Sequence, residues 1–179
     1  TLDLGALVAG SRYRGDFDVD GKPDLAVVNS GNDYISVFRN ISSPGSITAG
    51  SFETRVDFPS GSNPQGIAVG DIDGDGKPDI VVANYINNSV SVFRNTGLSG
   101  SITSDSFAER VDFAAGANPY DVTIGDIDRD GKPDLVVANH TDNSVSILRN
   151  TGNPGAIYEG SFAAKVDFIS GAGPISVVL

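Results

Sequence analysis

DIDGDGKPD, at residues 71–79, is preceded by DFDVDGKPD at residues 16–24 and followed by DIDRDGKPD at residues 126–134. The copies begin 55 residues apart, both from 16 to 71 and from 71 to 126. The flanking sequences keep the same register, without insertion or deletion. Self-similarity at a fixed period is typical of repeat architectures. The sequence therefore predicts three copies of one structural unit.

Each unit is predicted to form four β-strands. In the middle copy a short apolar strand leads into the acidic loop, a β-branched run follows it, and two further strands alternate apolar and polar residues. No segment shows a sustained 3.6-residue period, and four antiparallel strands at a fixed period are the signature of a propeller blade. Stacked β-solenoid coils, the alternative, have shorter repeats. The predicted strands are Gly66–Asp71, Ile80–Asn84, Val90–Phe93 and Phe107–Phe113.

The predicted fold is all-β, with three four-stranded antiparallel propeller blades. Residues 1–179 form one partial domain, with repeats at approximately 11–65, 66–120 and 121–175. Three blades cannot close a ring, because propellers have about 4–8. Ile175–Leu179 aligns with the first strand of a fourth copy, whereas Ser11–Gly15 is a poor apolar strand for the first. We expect either a homodimer, in which Ile175–Leu179 of one chain completes the first blade of another in a six-bladed ring, or a fragment of a longer propeller.

The acidic loop has the donors of a calcium site. In the middle copy aspartates stand at its first, third, fifth and ninth positions, and calcium takes about 6–8 oxygen ligands. Gly76 permits the sharp turn, Lys77 offers its carbonyl while its ammonium is expected to point to water, and Pro78 restricts the chain before Asp79. An EF-hand does not fit, because its twelfth position would be Val82 rather than Glu. Magnesium seldom uses an all-protein cage.

These motifs carry a family resemblance that covers nearly the whole chain. Gly-x-x-Val-Gly-Asp followed by the acidic loop and an apolar strand resembles the FG-GAP/VCBS repeat of integrin α-subunit propellers and many secreted bacterial proteins. The resemblance implies a loop that joins the first and second strands of each blade and binds one Ca²⁺, with the calcium serving a structural role. Val-Ala-Asn after the loop departs from the usual pattern and suggests the bacterial type. The implied ligands are Asp16, Asp18, Asp20, Lys22 (carbonyl), Asp24, Asp71, Asp73, Asp75, Lys77 (carbonyl), Asp79, Asp126, Asp128, Asp130, Lys132 (carbonyl) and Asp134.

Composition narrows the function further. The formal net charge of −11 argues against nucleic acid as a partner, since a phosphate backbone needs a basic surface. No apolar run reaches the roughly 18–20 residues of a membrane span. The sequence shows no nucleophile paired with a base, and we expect no enzymatic activity. The expected location is secreted or extracellular, in a bacterium.

The sequence thus predicts a non-catalytic scaffold or binding module, for protein or glycan contacts such as those of cell adhesion. Its contact loops are expected at Ser30–Tyr34, Tyr85–Ser89 and His140–Ser144, which differ between copies. A carbohydrate-binding lectin is an alternative, weakened because the tyrosines do not recur in register. An accessory propeller of a larger secreted enzyme is another.

One repeated charge pair is also predicted. Arg39, Arg94 and Arg149 end the third strand of their copies. They are expected to pair with the fourth-strand aspartates Asp57, Asp112 and Asp167.

Overall fold

A computed structural model describes residues 15–179 of the chain, which form eleven β-strands and no helix. Along this part of the chain there is accordingly no helix that could cross a membrane. The strands are β1 (Leu25–Asn29), β2 (Tyr34–Phe38), β3 (Val56–Pro59), β4 (Pro64–Gly70), β5 (Asp79–Asn84), β6 (Ser89–Phe93), β7 (Val111–Ala114), β8 (Pro119–Gly125), β9 (Asp134–Asn139), β10 (Ser144–Leu148) and β11 (Val166–Ile169).

The strands form three antiparallel meanders, one for each repeat. Blade 2 has the order β4-β5-β6-β7 and blade 3 the order β8-β9-β10-β11, while blade 1 contains β1-β2-β3. The equivalent strands pair in the same register, for example Ile80 with Phe93 in blade 2 and Leu135 with Leu148 in blade 3. The all-β prediction of four-stranded blades is therefore confirmed for two repeats. The inner strand expected at Ser11–Gly15 in blade 1 lies almost wholly outside the described residues.

The fourth strand is shorter than predicted. Phe107 forms only an isolated bridge with Asn95, and the paired strand begins at Val111. The bridge is closed by Ala108, whose N–H donates to the Arg94 carbonyl at 2.9 Å. The chain then leaves the ladder before rejoining it, so that the alternating pattern from Phe107 to Phe113 spans a bridge and a strand rather than one continuous strand.

The blades stand side by side with their inner strands adjacent. Gly66 of β4 lies so close to β8 that a Cβ atom there would come within 2.6 Å of the Asp121 Cα, so glycine is required for this approach. The apolar core lies between neighbouring sheets. One buried cluster joins blades 1 and 2 around Phe58 and Phe107, and a second joins blades 2 and 3 around Phe113 and Phe162. These are propeller-like blades in a row that is not closed by itself.

The strand predicted at Ile175–Leu179 is not observed as part of a sheet. Beyond β11 the chain pairs with no described strand, because a fourth blade would have to supply its ladder partner. The segment nevertheless lies along β8. Ser176 Oγ and Val177 N donate to the Asp121 carboxylate at 2.9 and 3.0 Å, and Leu179 lies against Gly125.

Candidate metal centres

Two of the acidic loops connect the inner strand of a blade to its second strand, and the remaining loop precedes the second strand of blade 1. Loop 2 (Asp71–Asp79) begins directly after β4 and its last aspartate is the first residue of β5. Loop 3 (Asp126–Asp134) joins β8 to β9 in the same way, and loop 1 (Asp16–Asp24) leads into β1. The strand ends therefore fix both ends of loops 2 and 3, as the sequence predicted.

Three carboxylates converge in every loop. They are the aspartates at the first, third and ninth positions, and one oxygen from each lies within 4.8 Å of the others. Two oxygens bound to one calcium ion at 2.3–2.6 Å can be separated by about this distance. The set consists of hard oxygen donors only, so it fits a hard cation. The clusters are Asp16, Asp18 and Asp24; Asp71, Asp73 and Asp79; and Asp126, Asp128 and Asp134.

The backbone wraps around these carboxylates. In loop 2, Asp75 N donates to Asp71 Oδ1 at 3.0 Å, and Gly76 N donates to Asp71 Oδ2 at 2.9 Å. The same two contacts recur in loops 1 and 3. Gly76 has φ = 89°, a value shared by its equivalents Gly21 and Gly131, so the predicted need for glycine at the turn is confirmed.

The ninth-position aspartate is the most constrained ligand candidate. Asp79 is buried, and its two oxygens accept hydrogen bonds from Ile72 N and Asn95 N, both at 2.8 Å. The pKa of Asp79 is raised from 3.8 to about 7, mainly by burial and also by the charges of Asp73 and Asp75, while the two hydrogen bonds oppose the rise. Burial likewise raises the pKa of Asp24 to about 6. A bound cation would offset this cost of ionisation.

The remaining predicted ligands lie beside the clusters. The fifth-position carboxylates accept a hydrogen bond from the lysine N–H two residues later, at 2.9 Å in each loop. Metal binding by Asp20, Asp75 and Asp130, and by the carbonyls of Lys22, Lys77 and Lys132, stays a prediction. The Lys77 ammonium does not point to water as expected, since it donates to the Gly97 carbonyl at 2.9 Å.

The predicted pairing of the repeated arginines is wrong. Arg94 Nε contacts Asp73 and its Nη2 lies 3.3 Å from Asp75, so the guanidinium binds loop 2 instead of Asp112. Arg39 binds loop 1 in the same manner, through Asp18 and Asp20. The third strand ends beside the loop, which places the arginine over it. The fourth-strand aspartates pair instead with the residue two positions earlier: Arg55 with Asp57, Arg110 with Asp112 and Lys165 with Asp167.

The three loops differ in how completely they are enclosed. All three clustered carboxylates of loop 2 are buried, whereas Asp126 and Asp128 of loop 3 are exposed. Arg149 is more than half exposed and lies 3.8 Å from Asp128, so it neutralises loop 3 less than Arg94 neutralises loop 2. Loop 3 is therefore the most open of the sites.

Sequence reasoning missed the contacts that join one loop to the next. Asn95 Nδ2 of blade 2 donates to the Phe17 carbonyl in loop 1 at 2.9 Å, and Gly100 N donates to the Asp18 carbonyl at 2.8 Å. Asn150 and Gly155 of blade 3 contact Ile72 and Asp73 in loop 2 with the same distances. The recurrence of asparagine at positions 40, 95 and 150 was the signal available in the sequence.

A second group overlooked in the sequence lies at the opposite end of the blades. The rings of Tyr85, Tyr120 and His140 form a cluster with centroids 6.0–6.4 Å apart. Tyr85 and His140 occupy equivalent repeat positions, whereas Tyr120 belongs to the inner strand β8. They meet because the inner strand of blade 3 begins between the β5–β6 and β9–β10 turns.

Comparison with known proteins agrees with the repeat. A family model described as an FG-GAP-like repeat matches three times, over residues 16–82, 71–137 and 126–179. No curated protein and no solved structure matches the chain. The three matches together span residues 16–179, and each begins at the first aspartate of an acidic loop. The chain therefore belongs to the FG-GAP-like repeat family.

Proposed function

We propose that the chain is a non-catalytic, calcium-stabilised extracellular binding module of propeller blades. The observation that carries the proposal is the threefold recurrence of three converging carboxylates in the loop before the second strand of a repeat. Calcium supplies the charge that balances these carboxylates, and the chain's own residues hold them in place. The aspartates at positions 1, 3 and 9 bind the ion, with the position-5 aspartate and the lysine carbonyl completing the set.

The extracellular part of the proposal rests on the calcium affinity that is typical of such modules. Calcium modules outside the cell bind at about 10⁻⁴–10⁻³ M, and we expect the weakest of the three sites to be the one with the most exposed carboxylates. Loop 3, with two exposed carboxylates, is that site. A site of that affinity is filled only where calcium is in the millimolar range.

Calcium titration of the metal-stripped chain by calorimetry tests this function. We expect three ions per chain and a rise in melting temperature on binding. Asp73→Asn should reduce the stoichiometry to two, because it removes one carboxylate of loop 2. Asp105→Asn removes the same charge from an exposed position outside the loops and should leave it at three. A chain that binds no calcium at millimolar concentration would contradict the proposal.

The partner surface is proposed at the end of the blades opposite the acidic loops. The β1–β2, β5–β6 and β9–β10 turns lie there and differ in sequence between copies. The ring cluster of Tyr85, Tyr120 and His140 belongs to this end and favours a second candidate, a lectin, because sugars stack on aromatic rings. A glycan array probed in calcium with the wild type and with Tyr120→Ala distinguishes the two candidates. A glycan bound only by the wild type supports the lectin, and the absence of any hit favours a protein partner.

A further inference from the structure

The two terminal blades carry apolar faces that are buried elsewhere in the molecule. Between blades 1 and 2, and again between blades 2 and 3, the forward face of one sheet packs on the rear face of the next. The forward face contributes a phenylalanine from the fourth strand, Phe58 or Phe113. The rear face contributes the bridging phenylalanine, Phe107 or Phe162. The ring centroids of these pairs lie 5.1 and 4.8 Å apart.

Blade 3 has the same forward face, and no sheet formed by residues 15–179 covers it. Phe168, the equivalent of Phe113, is 53% exposed, whereas Phe113 is 7% exposed. Ile127, the equivalent of the buried Ile72, is likewise exposed. An exposed apolar face whose two equivalents are buried against a neighbouring sheet has the character of an interaction surface.

Blade 1 has the matching rear face, which no other sheet in the described part of the chain covers. Ile47 is 75% exposed, whereas its equivalent Ile102 is 8% exposed beneath the forward face of blade 1. Phe52 is half-buried although Phe107 and Phe162 are buried. The open faces of blades 3 and 1 are therefore the two halves of one interface that the chain already forms twice.

We propose that a second copy of this chain covers these faces, with blade 3 of each protomer packed on blade 1 of the other. Both faces of both chains are buried in this arrangement, which closes a ring of six blades, within the range of about 4–8 seen in propellers. A head-to-tail interface of this kind is finite only when the rotation closes.

The C-terminal segment supports the same geometry independently. Ile175–Leu179 packs against β8 in the same way that β8 packs against β4. Leu179 lies against Gly125, and the equivalent Ile124 of β8 lies against Gly70 of β4. The segment thus occupies the place of the inner strand of a following blade. In the proposed dimer that blade is blade 1 of the partner, where β1 pairs only with β2 among residues 15–179, and the segment pairs with β1. In blade 2, Ala68 of β4 pairs with Val81 of β5. Val178 is the repeat equivalent of Ala68 and Ala26 is that of Val81, so the same register places Val178 opposite Ala26.

Light scattering behind size exclusion in millimolar calcium tests the proposal. We expect about twice the 18.5 kDa chain mass. Phe168→Asp should give a monomer, since its side chain makes the interface but is exposed in the single chain. Ile86→Asp, which changes an equally exposed apolar residue in the β5–β6 turn, should leave the dimer intact.

A cysteine pair tests the register, because the natural chain contains no cysteine. Ala26→Cys combined with Val178→Cys should give a disulfide-linked dimer on mild oxidation, since directly opposed strand residues have Cα separations within disulfide range. Ala26→Cys combined with Val177→Cys, which is displaced by one residue, should crosslink less. A wild-type monomer, a ladder of polymers, or equal crosslinking of both pairs would overturn the proposal.

A second inference rests on the proposed calcium sites and on the contacts between loops. We infer that neighbouring sites bind cooperatively through Asn95 and Asn150. Asn95 holds two loops at once: its N–H donates to the Asp79 carboxylate in loop 2, and its side chain donates to the Phe17 carbonyl between two ligands of loop 1. Ordering one loop therefore orders part of the other, and the effect is reciprocal.

Asn40 offers a matched control at the same repeat position. Its N–H donates to Asp24 and its side chain donates to the Pro23 carbonyl of its own loop, both at 2.8 Å. Among the described residues it donates to no other blade. Asn40→Ala and Asn95→Ala both keep the backbone N–H and remove the equivalent side-chain contacts within a blade, and only Asn95→Ala removes the contact between blades.

A two-site variant allows a test that does not depend on equal affinities. With loop 3 disabled by Asp128→Ala, loops 1 and 2 remain, and two independent sites give a second stepwise association constant of at most about one quarter of the first. We expect a ratio above this limit. Asn95→Ala should return the ratio to the limit or below, and Asn40→Ala should not.

Three results distinguish a failure of the coupling between sites from a failure of the proposed calcium-binding function. Two ions bound with a ratio at or below one quarter would overturn the coupling alone, as would an equal effect of the two asparagine variants. No binding at all would overturn the proposed function. If Asn95→Ala does not fold by circular dichroism, the pair of loops 2 and 3, with Asp18→Ala and Asn150→Ala, provides the same test at the other junction.

Discussion

The buried aspartates of the loops should make the metal-free protein lose stability as the pH rises. Asp79 has a pKa of about 7 in the folded chain and an ordinary value of 3.8, and burial is the main cause of the difference. The folded state therefore binds this proton more tightly than the unfolded state. Its contribution to stability is complete below pH 3.8 and is lost as the pH rises through 7.

The size of the effect follows from the two pKa values. A separation of about three pH units corresponds to about 4 kcal/mol in the free energy of unfolding, of which about 2–3 kcal/mol falls between pH 5 and pH 8. Asp24, with a pKa of about 6, adds to the loss in the same direction. Asp33 and Asp167 have lowered pKa values, so their contribution is already complete above pH 4 and does not change in this window.

Urea unfolding followed by far-UV circular dichroism, at pH 5, 6, 7 and 8, measures the effect. The metal-stripped protein should lose stability across the series, and Asp79→Asn should have a shallower dependence because the titrating group is gone. With calcium present the trend should reverse, since protons compete with the ion for the same carboxylates. A metal-free stability that is constant or rises from pH 5 to pH 8 would refute the assignment of Asp79 as a buried, uncompensated carboxylate.

Two further comparisons use equivalent positions of the repeat as controls. Arg94→Gln should destabilise the metal-free chain by about 1–3 kcal/mol, because it leaves the buried Asp73 carboxylate without its counter-charge, whereas Arg149→Gln should cost under about 1 kcal/mol since its ion pair is exposed. Urea unfolding without calcium compares the two variants, and equal losses of stability would contradict the reasoning. Gly61→Ala should cost about 1–3 kcal/mol in stability because its Cβ would lie 2.5 Å from the buried Asn84 side chain, whereas the Cβ of Gly171→Ala would meet no atom within 4 Å and this variant should be nearly neutral. Thermal unfolding compares the two, and a neutral Gly61→Ala would show that the asparagine side chain can move.

The repeat made most of the fold predictable. A constant spacing of 55 residues means that one correct interpretation of a copy applies to all three, and the β-branched run before Asn84 and the alternating run before Arg94 formed the strands expected. The error in the fourth strand arose because alternation continues through Phe107–Phe113, while the hydrogen bonds of the ladder do not. An alternating side-chain pattern shows which face of a strand is buried, but it does not show where the backbone stops hydrogen-bonding to the neighbouring strand.

The candidate site was predictable in its donors but less so in its surroundings. Alternating aspartates around a glycine specify a carboxylate cluster locally, because all of them lie within nine residues. The partner of Arg94 depends instead on which loop lies beside the end of β6, and the reach of Asn95 to Phe17 spans 78 residues. Contacts of this range follow from the packing of whole blades, so no spacing within one repeat could indicate them.

The three loops, although nearly identical in sequence, are not equivalent in the structure, and the cause is their position in the row. Loops 1 and 2 are each covered by the hairpin of the following blade, through Gly100 and Gly155. Loop 3 has no following blade among the described residues, and its carboxylates at positions 1 and 3 are exposed. Because a covering blade removes water from a loop, it raises the cost of leaving the aspartates ionised and increases what a cation contributes. Closure of the ring by a second copy would therefore enclose loop 3 as well, so assembly and metal binding should each favour the other.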